Sequence, residues 1–330
     1  RKQLGRGNAS FDFDLSLTNP VYGRDLSFNT RNIAFFVENS FSVLSRLTIT
    51  PGVRIENIQN SGKGYINTTS AGGINFDDRT RTLLLGGVGI QYNLNENKSN
   101  VYANISQAFR PITFAELTPS ATTDIIDQNL KDATGFNADL GYRGKIGEFL
   151  NFDVSAFYLL YENRIGNIPQ NGAVLRTNIG NSESKGVETF VEFDIIKALN
   201  PSKNYSLSLF NSYAFVDARY TKWNDPDISR NTEGKRVENA PRHILRTGLD
   251  FQWKGLNITY NLSVIDEVYT DALNTSTPNA ASTLGKISGY KVMDLNLSYI
   301  YKYYQFRAGI NNLTDEVYAT RRAGGYPGPG

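Results

Sequence analysis

The chemistry open to this chain is carried by arginine. Arg79, Arg81, Arg110, Arg164, Arg176, Arg219, Arg230, Arg236, Arg242, Arg321 and Arg322 all fall between regular segments or at their ends. A guanidinium presents a planar fork of donors that grips a carboxylate through two hydrogen bonds, and it keeps its charge at any working pH. Arg81, Arg110, Arg176 and Arg321 are the substrate-binding candidates, with Gln107 as an added hydrogen-bond donor. Each guanidinium has a competing use in pairing with an internal carboxylate, a loop group or a phosphate.

Covalent chemistry has little to work with. The chain has one histidine, His243 beside Pro241, and no cysteine. There is therefore no thiolate nucleophile, no disulfide framework and a poor ligand set for zinc. A single histidine at the start of a strand is most simply structural or solvated, so no catalytic residue is assigned and the chain is not read as an enzyme. Asp124, Asp127 and Asp132 would offer oxygen ligands to calcium, but the same residues make an ordinary solvated acidic loop. The 34 basic and 32 acidic residues give a net charge of +2, which gives no reason to invoke nucleic acid.

The elements that must position these arginines are strands. Segments near 31–41, 47–57, 82–93, 99–109, 135–144, 151–161, 186–195, 205–217, 242–253, 256–264, 292–301 and 304–313 alternate apolar and polar residues, with a further candidate at Ala9–Leu17. Leu47, Ile49, Val53 and Ile55 face one way, and Thr48, Thr50, Arg54 and Glu56 the other; Leu256, Ile258, Tyr260 and Leu262 oppose Asn257, Thr259 and Asn261. Period two is the half-buried strand signal. There is no run of 18 apolar residues to make a transmembrane helix. The mean hydropathy of −0.38 is nevertheless compatible with a transmembrane barrel, whose strands average out.

A soluble β-sandwich or carbohydrate-binding module also alternates, so the connections must decide. Short ones near 42–46, 94–98, 145–150, 196–204, 254–255 and 302–303 alternate with long ones near 58–81, 110–134, 162–185, 218–241 and 265–291. Unstructured loops longer than about 15 residues are uncommon in compact soluble domains. Short turns at one end and long loops at the other are the pattern of an outer-membrane barrel. Tyr92, Tyr142, Phe152, Trp253, Tyr301 and Phe306 lie beside short turns on the apolar face, where a membrane interface favours aromatic rings. Ordinary strand propensity accounts for part of this placement.

Several segments resemble one family. Asn312-Leu313, Asp315, Tyr318 and the tail Gly328-Pro329-Gly330 match the C-terminal motif of TonB-dependent outer-membrane receptors. Val101 to Pro111 with Glu116-Leu117, Asn178 to Glu188, Thr50 to Arg54 and Ala240 to His243 match further family segments, in the family's order. Thr320-Arg321-Arg322, Tyr326 to Gly330 and Asn178-Ile179-Gly180 look most like ferric dicitrate receptors of the Bacteroidetes type.

The resemblance implies an all-β fold: a partial transmembrane antiparallel up-and-down β-barrel, about 12 or 13 of about 22 strands, with long extracellular loops and short periplasmic turns. Residues 1–330 would be the C-terminal part of one barrel domain. The N-terminal plug, the earlier strands and the closing strand would lie outside this chain, because open sheet edges are costly in hydrocarbon. It implies TonB-dependent import of a ferric chelate, ferric citrate or a citrate-type siderophore. Fe(III) would enter only as part of the cargo, with no intrinsic cofactor. The implied partners are the TonB–ExbB–ExbD complex, outer-membrane lipid and lipopolysaccharide. The candidate arginines would meet the anionic chelate, and Gln107 would face the lumen. Three alternatives stay open: a receptor for another siderophore, cobalamin or a glycan; a passive porin-like channel; and a soluble β-rich interaction or carbohydrate-binding protein.

Overall fold

The computed structural model describes residues 2–7, 24–65, 74–94, 98–117, 125–170, 173–280 and 282–322. The candidate strand Ala9–Leu17, Asp124 and the Gly328-Pro329-Gly330 tail lie outside these residues.

The strands are β1 (Lys2–Gly7), β2 (Arg24–Glu38), β3 (Phe41–Leu44), β4 (Leu47–Tyr65), β5 (Ile74–Leu94), β6 (Ser99–Arg110), β7 (Ile125–Ile126), β8 (Ala133–Ile146), β9 (Leu150–Gln170), β10 (Ala173–Asp194), β11 (Tyr205–Trp223), β12 (His243–Trp253), β13 (Leu256–Ile265), β14 (Tyr290–Tyr301) and β15 (Tyr304–Ile310). They form one 15-stranded sheet whose order follows the chain from β1 to β15; β3 branches onto β4 and β7 runs beside β10. Among the described residues, two short α-helices, α1 (Phe114–Leu117) and α2 (Ile195–Leu199), and a 3-10 turn, Ile228–Arg230, sit in connections. This is the up-and-down all-β architecture that the alternation and the connections predict.

Register turns the alternation into two faces. Residues directly opposite in an antiparallel pair share a face. Ile49, Ile90, Ala103, Leu140, Ala156, Val187 and Phe215 form one continuous row across seven strands. Leu150, Phe193, Leu209, Leu249, Tyr260, Leu295 and Ile310 form another. Many side chains on this face are exposed: Leu140 of the first row is 58% exposed, and Leu84 and Ile105, which alternate onto the same face, are 67% and 48% exposed. An apolar band this continuous is unstable against water and suits hydrocarbon, as on the outside of a transmembrane barrel.

The short connections carry the aromatic residues. Tyr205, Trp253, Leu256, Tyr299 and Phe306 share a register row next to the turns. The rings of Tyr142 and Phe152 lie 5.1 Å apart. Lys254 and Gly255 alone join β12 to β13, with φ of 45° and 85°, the left-handed pair that a two-residue hairpin needs.

Two of the expected long loops are corrected. Residues 58–65 and 74–81 continue β4 and β5, and residues 162–170 and 173–185 continue β9 and β10, so these connections are tall hairpins. The alternation fades there because Asn57, Gln59, Asn60 and Ser61 need no apolar face beyond the band. Backbone pairing still holds the strands together, as in Ile58↔Arg81 and Asn167↔Arg176. Among the described residues, connections 111–132, 224–242 and 266–289 do not continue the flanking strands.

Candidate functional site

Among the described residues, the buried apolar side chains gather at the long-connection end. Ile112, Leu117 and Leu130 form a small core, packed against Phe114, Ile126 and Ile165. Phe28 of β2 stacks on Phe114 at 4.4 Å between ring centroids. Connection 111–132 is thereby folded against the two tall hairpins.

Arginines fasten it on both sides. From the β4–β5 hairpin, Arg79 donates to the carbonyls of Leu130 (2.7 Å) and Gln128 (3.1 Å). Arg81 pairs with Asp132 at 2.6 Å, and the same carboxylate oxygen accepts the Ile112 N–H at 2.8 Å. From the β9–β10 hairpin, Arg176 donates to Asn167 Oδ1 (3.1 Å) and to the Ala115 carbonyl (2.6 Å). Thr177 donates to Asp127. Asn178 accepts from the Lys131 N–H (2.7 Å) and donates to the carbonyls of Lys131 (2.9 Å) and Asn163 (2.8 Å). Leu175 and Arg176 add a parallel bridge to Ile125 and Ile126.

Arg110, at the end of β6, makes a bidentate contact. Its Nη2 and Nη1 donate to Glu116 Oε1 at 2.7 Å and Oε2 at 3.1 Å, a bidentate fork. Its Nε donates to Tyr161 Oη at 2.8 Å. Thr113 adds its N–H (2.8 Å) and hydroxyl (2.9 Å) to Glu116 Oε2. Burial raises the Glu116 pKa, but the bonds from Arg110 and Thr113 outweigh it and hold the carboxyl below its ordinary value. The bond to Glu116 pushes the Arg110 guanidinium the other way, so it stays charged.

The network continues toward connection 224–242. Arg164 lies 5.2 Å from the ring centres of both Tyr161 and Tyr220, and its Nη2 is 3.6 Å from Glu238 Oε1. Tyr220, 2% exposed, donates to Glu238 at 2.5 Å. Burial and this bond push its hydroxyl pKa up, so it remains a donor. Arg164 reaches both rings because the pairing slips beside it: Asn163 has φ of 55° and the register shifts between Asn178 and Ser182. A bulge of this kind re-aims a side chain.

Three predicted residues, Arg81, Arg110 and Arg176, thus converge on connection 111–132, each with an internal partner. Gln107 departs from expectation. It alternates with Ile105 and stands opposite Phe136 on the apolar face, and its Oε1 accepts the Gly86 N–H at 2.8 Å. It caps the place where β5 leaves β6 and is not a lumen-facing donor. Arg321 is exposed and lies against a different connection, where its neighbour Arg322 donates to the Lys286 carbonyl at 3.0 Å. His243 Nδ1 lies 2.8 Å from Tyr213 Oη, a structural contact. Asp127 and Asp132 are engaged by Thr177, Arg81 and the backbone. Tyr161, Tyr220 and Glu238 were not legible from the sequence, because the bulge that brings the two tyrosines to Arg164 leaves no local signal.

Comparison with known proteins fixes the fold. A family model described as TonB dependent receptor-like, beta-barrel, matches residues 3–313. No curated protein matches the chain. Among solved structures, the chain resembles the unliganded ferric citrate transporter FecA, with a TM-score of 0.74 at 22% identity over 92% of this chain and 43% of FecA. It resembles the siderophore receptor PiuA from Acinetobacter baumannii, with 0.70 at 16% identity over 93% and 42%. It also resembles the ferric-catecholate import receptor Fiu from E. coli K12, with 0.69 at 17% identity over 93% and 44%. The chain spans less than half the length of each of these structures.

Proposed function

Because the chain belongs to the TonB-dependent receptor-like β-barrel family, we propose that it is part of the wall of a bacterial outer-membrane receptor that imports an anionic ferric chelate. In this reading residues 1–330 are the C-terminal part of one barrel of about 22 strands, completed by a plug and further strands of a longer polypeptide. The share of each structural relative that it covers supports this. Ferric citrate or a citrate-type siderophore is the favoured cargo, with Fe(III) carried as part of it. TonB–ExbB–ExbD supplies the energy, and outer-membrane lipid and lipopolysaccharide surround the band. No covalent step is involved.

One observation carries the reading: the sheet is apolar outside, and its polar face ends in a cluster of guanidiniums. Arg81 pairs with a carboxylate through one nitrogen, Arg110 grips one through a bidentate fork, and Arg321 is exposed at the same end. A cargo bearing several carboxylates is the chemistry those guanidiniums select.

The test is uptake of radioactive iron by cells carrying the full-length receptor. Iron supplied as citrate should accumulate, and accumulation should stop when TonB is deleted. Uptake that survives loss of TonB, together with steady conductance in a planar bilayer, would replace the receptor with a passive channel. Binding of cobalamin or a glycan and not ferric citrate would move the cargo.

A further inference from the structure

One carboxylate site at the end of β6 is already filled. Four donors converge on one carboxylate: both Nη groups of Arg110 and the N–H and hydroxyl of Thr113, all on Glu116. Tyr161 accepts from Arg110 Nε and keeps the fork aimed. On this chain the Arg110 side chain is 40% exposed and Glu116 19% exposed. Its occupant belongs to the short turn α1, within the connection that the hairpins fasten.

We propose that Glu116 is a tethered stand-in for a carboxylate of the cargo, and that an external carboxylate exchanges into the Arg110–Thr113 site and releases α1. This rests on the import reading above. The exchange trades one carboxylate for another on the same donors, so the guanidinium is never left bare. That lowers the barrier that usually protects a part-buried ion pair. The displaced segment is tied to Ala115, which Arg176 holds, and the fork is tied to Tyr161, whose ring lies under Arg164. Arg164 in turn touches Tyr220 and Glu238. Exchange at Arg110 therefore loosens connection 111–132 and disturbs connection 224–242 together, which is the loop rearrangement that capture of a cargo needs.

The experiment uses the full-length receptor in detergent, with ferric citrate as the probe in calorimetry. Removing an internal competitor should raise affinity, so Glu116→Gln should bind ferric citrate roughly tenfold more tightly. Arg110→Lys should bind it roughly tenfold or more weakly, because an ammonium cannot form the fork. A merely structural ion pair predicts the opposite for Glu116→Gln, and unchanged or weaker binding there overturns the proposal. A second measurement needs no variant to fold. Iron-free citrate should speed hydrogen exchange at Thr113–Leu117 in the wild type, and sulfate at equal ionic strength should not. If ferric citrate binds but this exchange is unchanged, the stand-in proposal is wrong while the import reading holds. If ferric citrate does not bind yet citrate still speeds the exchange, the site stands and the cargo assignment falls.

Discussion

The middle of the sheet and its long-connection end are arranged in opposite ways. In the middle, large apolar side chains point outward with nothing over them, Leu140 at 58% exposed and Leu84 at 67%. At the long-connection end, Leu26, Ile112 and Tyr220 are 1–2% exposed, and a small core packs under the connections. The difference fits the membrane reading proposed above. A strand in hydrocarbon needs its backbone paired and its outer face apolar, and the lipid does the rest. A hairpin that continues into water must build its own core and satisfy its own polar groups. The guanidinium network does this with carbonyls, carboxylates and tyrosine hydroxyls.

The largest expected break lies where the two tall hairpin strands meet β11. Gly180 has φ of +150°, and a Cβ there would lie 1.9 Å from the Lys222 carbonyl oxygen. Gly180→Val should cost at least about 3 kcal/mol, and the folded band in unheated gel electrophoresis should be lost or weakened. Gly234 makes the contrast, with φ of +81° but open space around the site. Gly234→Ala should cost only about 1 kcal/mol, measured as urea stability. Equal costs would show that backbone conformation, and not the close approach of β11, limits this end.

Next in size is a charge in the apolar band. Leu140→Arg should destabilise the receptor refolded into lipid vesicles by about 2–4 kcal/mol if the residue lies near the bilayer midplane. Leu140 is exposed, so the same change on a water-facing sheet would cost within about 0.5 kcal/mol. Urea unfolding from vesicles separates the two cases. A negligible cost would remove the argument that the band faces lipid.

A smaller effect is expected inside the network. Tyr220→Phe removes the donor to Glu238 and should cost about 1–2 kcal/mol. Hydrogen exchange should show the loss in connection 224–242, and more weakly in 111–132 through Arg164 and Tyr161. A change confined to 224–242 would mean that the two connections are independent.

How much of this was legible in sequence depends on which medium the residues meet. Rows such as Ile49, Ile90 and Leu140 were readable because one face of a strand repeats at every second residue. The aromatic residues beside the short turns were readable for the same reason. Beyond the band that apolar repeat ends, and strands carrying Asn57, Gln59 and Asn60 read as loop although they pair. Arg81, Arg110 and Arg176 could be selected by residue type, but their partners could not. Asp132 and Glu116 lie in connections whose path depends on tertiary packing, and Tyr220 meets Arg164 only through a bulge. Gln107 was misassigned because its polar side chain breaks an otherwise apolar row; the register places it outward and the Gly86 N–H accounts for it.

Acidification gives the finest division between the two regions. Glu116 is held below its ordinary value of 4.5 by Arg110 and Thr113. A carboxyl whose folded pKa is depressed contributes stability that is fully present above the unfolded pKa and is lost as pH falls through the folded one. The fork should therefore be intact at pH 7, begin to weaken only below about pH 4.5, and release α1 as Glu116 protonates. Hydrogen exchange at Thr113–Leu117, corrected for the intrinsic pH dependence, should speed up over that window. The apolar rows through Leu140 and Val187 carry no titrating group, so their amides should keep their protection over the same range. Glu116→Gln should abolish the pH dependence at Thr113–Leu117, because the amide does not titrate. A transition that persists in that variant would show that the pH response does not come from Glu116, and would leave the Arg110 fork as a passive tie.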